Sequence, residues 1–187
     1  MRAFRSDSVQ SPDMKSKTRL TFALLSLALA SFVAAPAQAD DQPAKTNRPA
    51  LYDKRADGNK QIADALTQAK KDGKHVLLQF GANWCGWCHK LHKLFKDDKD
   101  IAAFLAANYL VVLVDVDKVD GNSHNADVNE RYENPCQFGL PALVVLDADG
   151  KKLTMQDTGK LEEGDHHDPK KVMSFLREWS PRKSTAK

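Results

Sequence analysis

Two cysteines separated by two residues, Cys85 and Cys88 in Trp84-Cys85-Gly86-Trp87-Cys88, are the residues of this chain whose types and spacing best suit chemistry. Such a pair can form and break a disulfide, and the reactive species is the thiolate. The apolar run before it, residues 76–80, reads as a buried strand. The stretch after it, residues 89–96, carries Leu91, Leu94 and Phe95 at helical spacing. The pair therefore falls where a strand ends and a helix begins. The first turn of a helix offers unpaired N–H groups and a partial positive charge, and both favour a thiolate over a thiol.

Further elements must hold that junction in place. Ile62, Ala65, Leu66 and Ala69 recur at i, i+3, i+4 and i+7, which predicts an amphipathic helix ending near Gly73. Asp100 is expected to cap a second short helix with Ile101, Phe104 and Leu105 inward. Residues 110–116 and 142–146 read as buried strands, and 151–155 as an antiparallel return after the turn Asp147-Ala148-Asp149-Gly150. The polar stretch between the two buried strands, 117–139, has room for a short helix near 126–132. Asp168-Pro169 marks the start of a last helix, with Val172, Phe175, Leu176 and Trp179 as its apolar stripe. Early alternation of strand and helix with a late hairpin predicts an α/β fold, a mixed sheet with helices on both faces.

The chain has 187 residues, and its first 39 read differently from the rest. Lys15, Lys17 and Arg19 precede an apolar stretch over 20–33 and the small-residue site Ala37-Gln38-Ala39, the three parts of a secretory signal peptide. Cleavage is expected after Ala39. Met14 begins a more ordinary signal than Met1, so 1–13 read as a start-site misassignment. The apolar stretch is short for a membrane span, and an uncleaved anchor is the competing reading. Beyond it we expect a flexible lead-in over 40–57, one domain over 58–180 and a tail over 181–187. The net charge of +3 arises within 1–39, leaving 23 residues of each sign beyond. A balanced surface gives no argument for nucleic acid or an anionic membrane as partner. Export lets disulfides persist, but one pair plus a lone Cys136 is no stapling framework, so chemistry explains the pair better than stability does.

With strand, Trp-Cys-x-x-Cys and helix in this order, and Gly139-Leu140-Pro141 just before the third strand, the chain from Leu51 to about Trp179 resembles the thioredoxin family. The resemblance implies a thioredoxin-like mixed sheet and a protein-disulfide oxidoreductase without cofactor. Cys85 would be the attacking thiol and Cys88 the resolving one. Leu140 and Pro141 would lie against the pair as the substrate-binding proline loop, with Trp84 and Trp87 as further substrate contacts. A position six residues before the first cysteine often holds a buried Asp in that family. Here it is Gln79, which cannot take a proton, and the lysine that often partners the acid falls near Leu113. Gln79 and His89 are therefore expected to modulate the pair. Trp84-Cys85-Gly86 resembles the same stretch in thioredoxin, which implies a reductase or isomerase rather than an oxidase. Protein thiols or disulfides would be the substrates, and a membrane thiol-relay protein the electron donor.

Other chemistries fit parts of the pattern. Cys85-Gly86-Trp87-Cys88-His89 also reads as a c-type haem attachment sequence, although three strand-like runs disfavour a small cytochrome. Cys85, Cys88, His89 and His92 could hold zinc or copper, but one continuous helix is poorly suited to wrap a tetrahedral ion. Cys136 is read as a partly buried small residue rather than a third redox thiol. The segment Asp165-His166-His167-Asp168 is read as a solvated loop ending in a helix cap.

Overall fold

The computed structural model describes residues 48–119 and 121–182. The expected signal peptide, the first part of the lead-in and residues 183–187 lie outside the described residues. Helix α1 (Gly58–Asp72) starts where the Asp57 carboxylate accepts the amides of Asn59 and Lys60. It ends at Gly73, whose φ of 64° is open to glycine at no steric cost, with Lys70 and Lys71 facing the negative end of the helix dipole. Strand β1 (His75–Gly81) follows, then α2 (Gly86–Asp97), α3 (Lys99–Asn108) and β2 (Tyr109–Asp115). A two-residue hairpin, β3 (Lys118–Val119) and β4 (Asn122–Ser123), leads to α4 (Ala126–Arg131) and a 3-10 turn over Pro135–Phe138. Strands β5 (Ala142–Leu146) and β6 (Lys152–Asp157) come next, then a 3-10 turn over Thr158–Leu161. A second hairpin, β7 (Glu162–Glu163) and β8 (His166–His167), precedes α5 (Pro169–Glu178).

The main sheet has the order β2-β1-β5-β6. β1 runs parallel to β2, in the register that sets Gln79 beside Leu113 and Gly81 beside Asp115, and antiparallel to β5. A parallel neighbour needs a crossover, and α2 with α3 supplies it. Alternation along β1 sorts its side chains between two layers. Val76, Leu78 and Phe80 pack with Ile62 and Ala69 of α1 and Val128 of α4; Leu77 packs with Leu91, Ile101 and Leu176 of α2, α3 and α5. Both layers are apolar, so the central strands read as continuous hydrophobic runs. The mixed sheet with helices on both faces is as expected. Among the described residues no helix is long and apolar enough to cross a membrane.

Three expectations are corrected. The cap of α3 is Asp98, whose carboxylate accepts the amides of Asp100 and Ile101; Asp100 already lies in the first turn. Asp98 also ends α2, so one residue joins the two helices and no room is left for a later start. Trp179 is the C-cap of α5 and only half-buried, because the helix ends before its stripe completes another turn. The lead-in is not wholly free: Tyr52 is 2% exposed and held in the protein, since its ring fills space at the end of β1. Asp98→Ala should cost about 1 kcal/mol in urea unfolding and Asp100→Ala clearly less, because only the former removes the cap.

Candidate active site

β1 ends at Gly81 and α2 begins at Gly86, with Cys85 as its N-cap in extended conformation (φ −70°, ψ 105°). Cys85 Sγ accepts the N–H of Cys88 at 3.1 Å, so a sulfur does what a Ser or Asp oxygen does at an ordinary cap. Cys85 and Cys88 are joined as a disulfide, with their Cα atoms 5.3 Å apart. Cys85 is 5% exposed and Cys88 fully buried, so Cys85 is the sulfur nearer to solvent. The amide aimed at Cys85 and the dipole behind it would stabilise negative charge there once the bond opens. The guanidinium of Arg48 adds a cation nearby: a Cβ on Gly86 would lie 3.2 Å from its Nη1.

The sequence-predicted residues gather around this junction. Trp87, Leu113 and Leu140 pack against the cluster of Tyr52, Cys85 and Cys88. Pro141 is buried behind Leu140, joined to it by a cis peptide bond. Trp84 is 48% exposed and its indole N–H donates to Asp117 at 2.8 Å, which holds the ring on the surface. Gln79 is fully buried; its Nε2 donates to the Tyr52 hydroxyl at 2.7 Å and lies 3.4 Å from the Cys88 carbonyl. His89 turns to a backbone partner, its Nε2 lying 2.9 Å from the Asn83 carbonyl oxygen. Among the described residues no three His, Cys, Asp or Glu side chains are grouped to hold a metal ion. In the disulfide state both sulfurs are bonded to each other, and His89 turns to the Asn83 carbonyl. Cys136 is packed against the layer of α1 and α4, and burial pushes its thiol up to about 12. That value suits a packing residue rather than a nucleophile.

Several residues here escape a reading by motif. Asn83 clamps the lead-in: its Oδ1 accepts the amides of Leu51 at 2.7 Å and Tyr52 at 2.8 Å, while its Nδ2 donates to the Tyr52 carbonyl at 2.9 Å. Leu51-Tyr52 is an apolar pair in a polar stretch, and that was the available signal. Asp117 takes hydrogen bonds from Trp84, Lys54 and the Lys118 amide. Burial raises its carboxyl, but those donors outweigh it and hold it below the usual range. His167, expected in solvent, is 3% exposed and packs edge-on to Trp87 with ring centroids 5.3 Å apart. The β7–β8 hairpin carries it there, a contact of 80 residues' separation that no local pattern encodes. Lys90 sits over the Trp87 ring, its Nζ 4.4 Å from the ring centroid.

Known proteins are similar to this chain in sequence and fold. The sequence model of the family described as Thioredoxin-like domain matches residues 62–164. The crystal structure of a disulphide isomerase from Xylella fastidiosa Temecula1 superposes with a TM-score of 0.61 at 32% identity, covering 70% of this chain and 96% of that one. The thiol:disulfide interchange protein DsbD of Colwellia psychrerythraea is 29% identical over 98 residues, 52% of this chain; the chain spans only 15% of that relative's length.

Gly81→Ala should destabilise the fold by about 1–3 kcal/mol in denaturant unfolding, because the added Cβ would fall 2.6 Å from Cys88 Sγ and closer still to the hydroxyl of buried Tyr52. Stability should also depend on pH through His167. Burial lowers its pKa below the ordinary value, so the unfolded chain binds a proton first. The folded form should lose stability as pH falls below about 6.5. His92, lowered likewise by burial, adds to that slope. Urea midpoints between pH 8 and 5 should fall less steeply in His167→Gln than in the parent chain.

Proposed function

The chain belongs to the thioredoxin-like domain family, and from that premise we propose that it carries out thiol–disulfide exchange on other proteins, with Cys85 attacking and Cys88 resolving. The observation that carries the reading is the sulfur-capped helix start, where the more accessible sulfur receives an amide hydrogen bond and the second is buried beneath it. In the reductive direction the Cys85 thiolate attacks a substrate disulfide and expels one substrate thiolate, leaving a mixed disulfide. Cys88 then attacks Cys85 Sγ. The enzyme disulfide forms, the second substrate sulfur leaves, and the proton given up by Cys88 balances the one that sulfur takes. A substrate chain would meet exposed Trp84 and half-buried Trp87 and Leu140 beside the reacting sulfur, with buried Pro141 behind Leu140.

We assign the direction to reduction or isomerisation. A strong oxidant needs its reduced form heavily stabilised, and the ring that follows the pair on α2, His89, is bound to the Asn83 carbonyl rather than to Cys85 Sγ, which leaves Arg48 as the cation beside the pair. The similarity to a disulphide isomerase supports isomerisation, and a membrane thiol-relay protein is the electron donor we propose for the reductive direction. Export to the periplasm, with Cys85 and Cys88 in an oxidising space, fits a leader like that of residues 1–39.

Titration of the Cys85–Cys88 couple against glutathione and dithiothreitol should give a potential nearer to roughly −270 mV than to roughly −120 mV. A value at the oxidising end overturns the direction, and the absence of a reversible two-electron couple overturns the exchange reading itself. Cys85→Ser should abolish insulin reduction, and Cys88→Ser should accumulate mixed disulfide detectable by mass spectrometry.

A further inference from the structure

We propose that Tyr52 governs the resolving step: its hydroxyl donates a hydrogen bond to the Cys88 sulfur as that thiol ionises. This rests on the exchange reading above and assigns a role to a residue of the lead-in, outside the segment matched by the family's sequence model.

The geometry is specific. A Cβ built on Gly81 would lie 2.6 Å from Cys88 Sγ and closer still to Tyr52 Oη, so hydroxyl and sulfur are no farther apart than twice that distance. Glycine at position 81 leaves room for both side chains. Both residues are buried, so water does not compete there. The direction of the hydrogen bond follows from Gln79. Its amide lies between two oxygens, the Tyr52 hydroxyl at 2.7 Å and the Cys88 carbonyl at 3.4 Å. A carbonyl can only accept, so the nitrogen faces it and also donates to Tyr52 Oη, while Gln79 Oε1 is left buried without a partner. The Tyr52 hydroxyl proton has no acceptor among the described residues, and the Cys88 sulfur is beside it. Burial keeps the phenol protonated far above neutral pH, so Tyr52 serves as a donor and never as the base.

The chemistry needs such a donor. When Cys88 attacks the mixed disulfide, it must first carry negative charge in a fully buried position, where an unpaired thiolate is costly. The Tyr52 proton supplies the missing partner without a charge of its own. The proton lost by Cys88 goes with the leaving substrate thiol, and Tyr52 keeps its own throughout. Asn83 holds the hydroxyl in place by clamping the Tyr52 backbone. The other titratable groups that reach Tyr52 are Asp115 on β2 and Cys136 in the 3-10 turn; His89 and His92 follow Cys88 on α2. A Tyr-to-Phe change leaves all four in place.

The test uses 5,5′-dithiobis(2-nitrobenzoate) on reduced protein in a Cys136→Ala background, where only the pair reacts. Attack by Cys85 releases one nitrothiolate and resolution by Cys88 releases a second, so the two steps separate in stopped-flow absorbance. Tyr52→Phe should leave the first phase intact, slow the second by about tenfold and move its pH midpoint upward, as loss of a hydrogen bond to a charged group requires. Tyr52→Phe with Gln79→Leu, which leaves no unpaired buried amide, should behave the same way and decides the matter if the single variant does not fold. A second phase with unchanged rate and midpoint in either folded variant overturns the role of Tyr52 and leaves the exchange reading standing. A parent protein that releases no second nitrothiolate overturns the exchange reading and this proposal with it.

Discussion

A helix capped by a sulfur is the arrangement on which the rest of this molecule turns. The amide of Cys88 points at Cys85 Sγ because the chain leaves β1, makes one turn and enters α2 within a few residues. The first turn of any helix has donors to spare. Placing a cysteine at the cap lets one donor serve the reactive sulfur, while the i+3 spacing sets the second sulfur directly beneath it. The main sheet positions this junction: β1 is central, hydrogen-bonded on both sides, and both its faces are covered by helices. A strand so held fixes where α2 can begin.

Close packing behind the disulfide is the second constraint. Gly81, Tyr52 and Cys88 meet in a space that admits no methyl group. Tyr52 reaches that space from a segment with no secondary structure of its own. It is kept there by the side chain of Asn83, which pairs three backbone groups of Leu51 and Tyr52 as a neighbouring strand might. A buried phenol and a buried amide thus occupy the place where an ionisable acid could have stood. Exchanging a charge for a neutral hydrogen-bond pair avoids the large cost of burying an unpaired carboxylate.

Much of the fold was readable from residue patterns, for reasons that differ from element to element. α1 announces itself by its apolar spacing and its glycine stop, and α5 by Asp168-Pro169, because capping and helical periodicity are local properties. The buried strands at Val76–Phe80 and Ala142–Leu146 stand out because both faces of each must be apolar. The start of α3 was misplaced by two residues, since Asp98 and Asp100 are equally good caps and only the packing of α2 against α3 chooses between them. β7–β8 gave no signal at all: two residues per strand, paired only because the chain around them is already placed.

For the site, residue type and spacing alone marked the two cysteines, the strand and helix that flank them, and the glutamine at position 79, since these are enough to define the chemistry of a dithiol. Which groups surround that dithiol was set by packing between distant parts of the chain. Tyr52, Asn83, Asp117 and His167 come from four separate stretches, brought to the same helix end by the docking of the lead-in, by a surface loop and by a hairpin. His89, adjacent in sequence, was turned away to a backbone carbonyl. The physical reason is one of range: caps, turns and periodicity are settled among residues a few places apart, whereas the field and the hydrogen bonds felt by a buried sulfur come from whatever the packed chain sets within a few ångströms of it.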